Sequence, residues 1–134
     1  MKRYPVMTQS LELTRKLAPN AFQEIVDVGV QVRTDFLMDV FPDRHHHLFE
    51  PATVYHPRLE ANYQEKGINY TLHKTALSDT DDVLYLHNTS VDGSGNITHS
   101  QIKTERDENL QFLVNIEEIP TRRLDTQFPA GTLP

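Results

Sequence analysis

Cysteine is absent from the chain, which excludes disulfide bonds, thiolate metal sites and a cysteine nucleophile, and suits a reducing compartment. Runs of basic residues are absent too. Lysine and arginine number 13 against 19 acidic residues, for a net charge of −6. No cluster could track a phosphate backbone, so nucleic acid is not an expected partner. No apolar stretch is long enough to span a bilayer, and Lys2 and Arg3 are not followed by an apolar core of signal-peptide length. A soluble, cytoplasmic protein without a membrane partner is expected. Internal repeats and low-complexity tracts are also missing. What remains, 37% hydrophobic and 24% charged residues over 134 positions, is enough for one domain with a core and too little for two.

Residues 1–20 read as an N-terminal helical segment: Leu11, Leu13 and Leu17 suit a short surface helix from Thr8, ended by Pro19. Residues 21–126 read as the folded domain. Ile25-Val26-Asp27-Val28-Gly29 is a β-branched run closed by glycine, as in a buried parallel strand feeding a turn. Phe36, Leu37, Val40 and Phe41 then recur at helical spacing until Pro42 stops them. A second strand, His47-Leu48-Phe49, leads to Glu50-Pro51, and Tyr55, Leu59 and Tyr63 form a helical stripe with Gly67 at its C-cap. Ile68, Tyr70 and Leu72 begin a third strand that reaches Ala76-Leu77, before the turn Ser78 to Asp82. The βαβαβ order implies an α/β fold with a parallel sheet and helices on both faces. Val83 to His87 and Leu110 to Ile116 alternate as added antiparallel strands around the loop Asp92 to Gly95. Residues 127–134 read as an exposed tail.

In an open α/β sheet ligands bind beyond the carboxyl ends of the strands, and that edge carries Asp27, Gly29, Glu50, Pro51, Ser78 and Asp79. Gly29 permits a tight turn and a close ligand, and the following helix offers N–H groups to an anion. Glu50 stands 21 positions after Gly29, where an acid can accept from two ribose hydroxyls. Alone it reads equally well as a surface carboxylate before a proline.

Ile25 to Gly29, Leu48-Phe49-Glu50-Pro51, Thr75-Ala76-Leu77-Ser78-Asp79 and Arg123-Leu124-Asp125 together resemble successive landmarks of FkbM-type methyltransferases, across about residues 20–126. The resemblance implies a Rossmann-like class I methyltransferase fold and the cofactor S-adenosyl-L-methionine. It implies that Asp27 and Gly29 shape the methionine pocket, that Glu50, beside Pro51, holds the ribose, and that Ser78 and Asp79 lie near the adenine. It also implies O-methyl transfer to a hydroxyl of a sugar or secondary metabolite, with catalysis by positioning and no assigned catalytic residue.

Two departures from the family pattern carry expectations of their own. Val30-Gln31-Val32-Arg33 follows the first glycine, so an arginine takes the second glycine's place, and Arg33 is expected to crowd the methionine pocket rather than pair with the cofactor's carboxylate. The family's fourth core strand does not follow Leu124-Asp125, which leaves Val26 and Val28 on an open edge and implies a homo-oligomer, a swapped strand or a longer native chain.

Other features read as structural. His45, His46 and His47, with His56 and His73, invite a metal, but on a strand only His45 and His47 share a face, and no metal site is expected. Asp79, Asp81 and Asp82 lack the glycine and distal glutamate of a calcium loop. Arg122-Arg123 read as surface charge, and Tyr55 and Tyr63 as core packing. Two further functional classes stay open: a non-catalytic Rossmann-like module used in assembly, and a dinucleotide-dependent oxidoreductase, which the missing Gly-x-Gly-x-x-Gly disfavours.

Overall fold

The structure, a computed structural model, describes residues 5–128. Helix α1, Pro5–Leu17, begins before Thr8 and is anchored near its end by Arg15, which donates to the Val40 carbonyl at 2.5 Å and to Asp43 Oδ2 at 2.6 Å. Strand β1, Glu24–Val28, turns at Gly29 into α2, Asp35–Val40. Phe41 ends α2 immediately before Pro42, whose missing N–H and fixed ring oppose a further turn. Strand β2, His45–Phe49, is followed by a 3-10 turn at Thr53–Tyr55 and by α3, His56–Glu65, with Pro57 in its first turn. Gly67 closes α3 at φ +68°, where the Ile68 N–H reaches the Tyr63 carbonyl and the Gly67 N–H reaches that of Gln64. That pair of bonds is a Schellman cap, which requires the left-handed conformation glycine adopts without strain.

Strand β3, Tyr70–His73, completes a parallel sheet ordered β1-β2-β3. Register puts Ile25, His46 and Tyr70 abreast, and likewise Asp27, Leu48 and Leu72, on one face. Helices α1, α2 and α3 all pack on that face: Leu48, Leu59, Tyr63, Met38, Val30 and Ile68 form one buried cluster, and Ile25, Val40 and Phe41, with Leu11 and Leu37, form another. The opposite face carries Glu24, Val26 and Val28, then His45, His47 and Phe49, then Thr71 and His73. Helices on both faces were expected; the opposite face instead meets Phe128, just beyond the short helix α4, Leu124–Gln127. Gln127 and Phe128 are therefore half-buried rather than tail, and residues 129–134 of the expected tail lie outside the described residues. Among the described residues β1 has one hydrogen-bonded neighbour, so its outer edge is open, with Val28 57% exposed.

The segment expected as one third strand is two. β4, Ala76–Leu77, leaves the parallel sheet and pairs with β7, Leu113–Arg122, in a second sheet ordered β4-β7-β5-β6. Strands β5, Asp82–Thr89, and β6, His99–Lys103, are antiparallel neighbours, and β5 also runs antiparallel to β7. The antiparallel additions are present, with two differences. β6 has no hydrophobic alternation to announce it, and β7 starts at Leu113, because Phe112 at φ +64° breaks the run that begins at Leu110. Among the described residues no helix is long and apolar enough to cross a membrane.

Candidate functional site

The carboxyl ends of β1 and β2 open onto a cavity of about 280 Å³, just under the roughly 300–1,000 Å³ of most ligand pockets. One wall is Val28, Gly29, Gln31, Phe49, Glu50 and Pro51; the other comes from the second sheet and the residues leading into it, with Thr75, Ala76, Leu77 and Leu86, and with Thr98, His99 and Ser100 at the solvent-facing rim. Gly29 has φ +74°, and a Cβ built there would meet nothing within 4 Å, so backbone geometry rather than space demands glycine. Its N–H continues the ladder to the Phe49 carbonyl at 2.8 Å.

Glu50 is held at four points. Its N–H donates to the His73 carbonyl at 3.1 Å, and its own carbonyl accepts from His56 Nε2 at 2.6 Å. Oε1 accepts the Gln31 N–H and Oε2 the Ala52 N–H, each at 2.8 Å. The carboxylate thus ties the loop after β1, where Gln31 sits at φ 57°, to the turn after β2, and it is 4% exposed. Each oxygen keeps a lone pair after these bonds, so a buried, oriented negative charge borders the cavity. Tyr55 lines the same space and packs on Ala52, Ala76, Leu86 and Ile119. Burial, then the Glu50 charge, push its phenol pKa up, which keeps the hydroxyl a donor.

The expected site residues do not all meet there. Gly29, Glu50 and Pro51 line the cavity. Asp27 lies on the helix-covered face beside His46 and Tyr63, where burial raises its pKa against a Thr34 hydrogen bond that lowers it. Its Oδ2 has no hydrogen-bond partner among the described residues, nor has Nδ1 of the buried His46, whose Nε2–H donates to the Phe41 carbonyl at 2.7 Å. Burial lowers the His46 pKa, so the imidazole stays neutral. Ser78 and Asp79 line a separate, open crevice with Arg123, Leu124, Asp125 and Phe128; only their chain neighbour Leu77 reaches the cavity. Arg33, expected to crowd the methionine pocket, is not among the residues that line the cavity and pairs with Asp35 at 3.1 Å.

Sequence reasoning missed the backbone donors Gln31 and Ala52 and the whole rim Thr98 to Ser100. The donors carry no side-chain signature, and the rim rides on the strand that lacks alternation. The second sheet is itself laced by polar side chains on its cavity side: Asn88, fully buried, donates to Asn115 and to Glu117 Oε2 at 2.7 Å and accepts from Ser100 at 2.6 Å. Glu117 also accepts from the Thr53 hydroxyl, which links this sheet to the turn after β2.

No protein-family model matches the chain, and neither a curated protein nor a solved structure shows significant similarity to it.

Proposed function

We propose that this chain is the cofactor-binding part of a Rossmann-like, S-adenosylmethionine-dependent methyltransferase that acts on a hydroxyl of a small molecule, in the manner of the FkbM-type enzymes it resembles. The observation that carries this reading is the meeting of the Gly29 turn and the fixed Glu50 carboxylate in one cavity beyond the carboxyl ends of β1 and β2. The donor set fits the nucleoside part of the cofactor: Glu50 accepts from ribose hydroxyls through its free lone pairs, Gly29 lets the ligand approach the backbone, and Tyr55 offers an aromatic edge and a hydroxyl donor. When bound, the cofactor supplies an electrophilic methyl group. The chain's own residues orient and exclude water, and the hydroxyl-rich rim Thr98, His99 and Ser100 suits a hydroxylated acceptor. Under this reading the open edge of β1 is covered by a second copy or by further chain.

One observation favours a second reading, a non-catalytic module: both Glu50 oxygens already serve the backbone, as a purely structural acid would. Calorimetry with S-adenosylmethionine, S-adenosylhomocysteine and NAD separates the readings. Binding of the first two, weakened by about 1.5–3 kcal/mol in Glu50→Ala and blocked by His99→Trp at the exposed rim, supports the methyltransferase. Preference for NAD, or no binding by the folded wild-type chain, overturns it.

A further inference from the structure

The face of the parallel sheet opposite the helices holds an unbroken line of imidazole contacts across all three strands. His47 Nε2 faces Glu24 Oε2 at 3.4 Å, His47 Nδ1 lies 3.3 Å from His73 Nε2, and His73 Nδ1 lies 3.3 Å from Gln127 Nε2. Gln127 has only hydrogens to offer through Nε2, so His73 Nδ1 accepts and His73 Nε2–H donates to His47 Nδ1; the His47 proton then sits on Nε2, which lies 3.4 Å from Glu24 Oε2 and has no hydrogen-bond partner among the described residues. Both imidazoles are then neutral, with tautomers set in series. Phe128 closes over this line, its ring edge-on to His47 at 4.8 Å, to Phe49 at 5.8 Å and to His73 at 5.9 Å, while His73 stacks on Phe49 at 4.4 Å.

We infer that this line is a pH-sensitive latch: the neutral His47–His73 pair holds α4 and Phe128 on the sheet, and protonation of both imidazoles releases them. One proton is tolerated, because the pair can reverse its tautomers while the Gln127 amide turns its oxygen inward, so that the His47–His73 and His73–Gln127 contacts each keep one donor and one acceptor. A second proton leaves two N–H donors facing each other at 3.3 Å between two positive charges. Every charged or titratable group facing the pair from the packed elements bears on this. Glu24 on β1 favours the charged state, and His45 on β2, its ring 4.7 Å from that of His47 and its Nε2 bonded to Thr71 on β3, adds like charge; among the described residues, the groups of α4 and its C-cap that touch the pair are the neutral Gln127 and Phe128. Burial, then the charges of His47 and His45, hold the His73 pKa below the ordinary 6.5. The sign follows: docking is complete above the unfolded-state value and is lost as pH falls through the lower folded value.

Release has a pivot and a consequence. The Arg123 N–H donates to Asp81 Oδ1 at 2.8 Å, and that bond holds the Asp81 pKa down, so the tie survives mild acid. Beyond this pivot, Leu124, Asp125 and Phe128 form one wall of the Ser78–Asp79 crevice, so unlatching removes that wall whichever ligand the crevice takes.

NMR of the full chain between pH 8 and pH 4.5 tests the latch. At pH 8, cross-relaxation is expected from the Phe128 ring to the His73 and Phe49 rings. Those signals should fall at least fivefold, with amide shifts at 124–128 moving to coil values, at the midpoint where the His73 ring titrates, while the β5–β7 amides stay in place. His73→Gln, which keeps a donor toward His47 but does not titrate, should remain docked at pH 5, and Phe128→Ala should be undocked throughout. Retention of the Phe128 contacts at pH 5 after both rings have titrated overturns the latch, as does a release midpoint more than one pH unit from that of His73.

Discussion

The two sheets of this chain are held by different forces. The parallel sheet packs one face against three helices and buries Leu48, Phe49, Leu59 and Tyr63 completely, so its stability rests on apolar burial. The second sheet buries Asn88 and Thr121 as fully as the first buries leucine, and satisfies them with side-chain hydrogen bonds: Asn88 to Asn115, Glu117 and Ser100, and Thr121 to the carbonyls of Thr80 and Asp82. Apolar burial tolerates small shifts, whereas a buried polar network fixes direction and leaves a costly orphan when one member is lost. The cavity lies where the two meet, its acid held from the parallel side and its rim carried by the polar side.

This contrast predicts a graded series of effects in urea unfolding. Leu48→Ala should cost the most, about 4 kcal/mol, by leaving a hole in a packed cluster with little room to collapse. A loss below about 1 kcal/mol would break the claim that burial dominates there. Asn88→Ala should cost about 2 kcal/mol, and Asn88→Ala with Glu117→Gln should cost clearly less than the sum of the single changes, because the two side chains share one network. Additive losses would mean that the second sheet has no such network. The smallest effect concerns a polar group misplaced in the apolar half. Burial raises the Asp27 pKa, so the native state keeps a proton that the unfolded chain gives up above 3.8, and stability falls as pH rises through that window. Asp27→Asn should therefore unfold at higher urea than wild type at pH 7, and the gain should shrink near pH 3.5. A variant less stable than wild type at pH 7 would show that the Asp27 charge is stabilised in place.

The same difference explains what could be read from the sequence. β1 announces itself through a β-branched run and α3 through its helical stripe and the Gly67 cap, because apolar burial leaves a periodic trace. β6 leaves none: His99, Ser100 and Gln101 are exposed or polar, and the strand exists because β5 offers it a ladder. Thr75 could not be recognised as the point where the third strand leaves the parallel sheet, since its departure depends on a hydroxyl bond to the Pro120 carbonyl 45 residues away. Glu50 and Gly29 were legible as a pair, through spacing alone. The four bonds that fix Glu50 were not, because two of its donors are backbone amides whose neighbours give no chemical sign. Ser78 and Asp79 were legible as a turn, but their separation from the cavity is set by β4 joining the second sheet.

Under the proposed function, a nucleoside-containing cofactor seats against Glu50 at the meeting of the two sheets. The most direct measurement follows the backbone amide resonances of the isotopically labelled chain as S-adenosylhomocysteine is added. The largest shifts are expected at Gly29, Gln31 and Ala52, whose amides border or bond the acid, with smaller ones at Thr98 to Ser100. Shifts confined to other surfaces, or none at millimolar ligand with the fold intact, would contradict it.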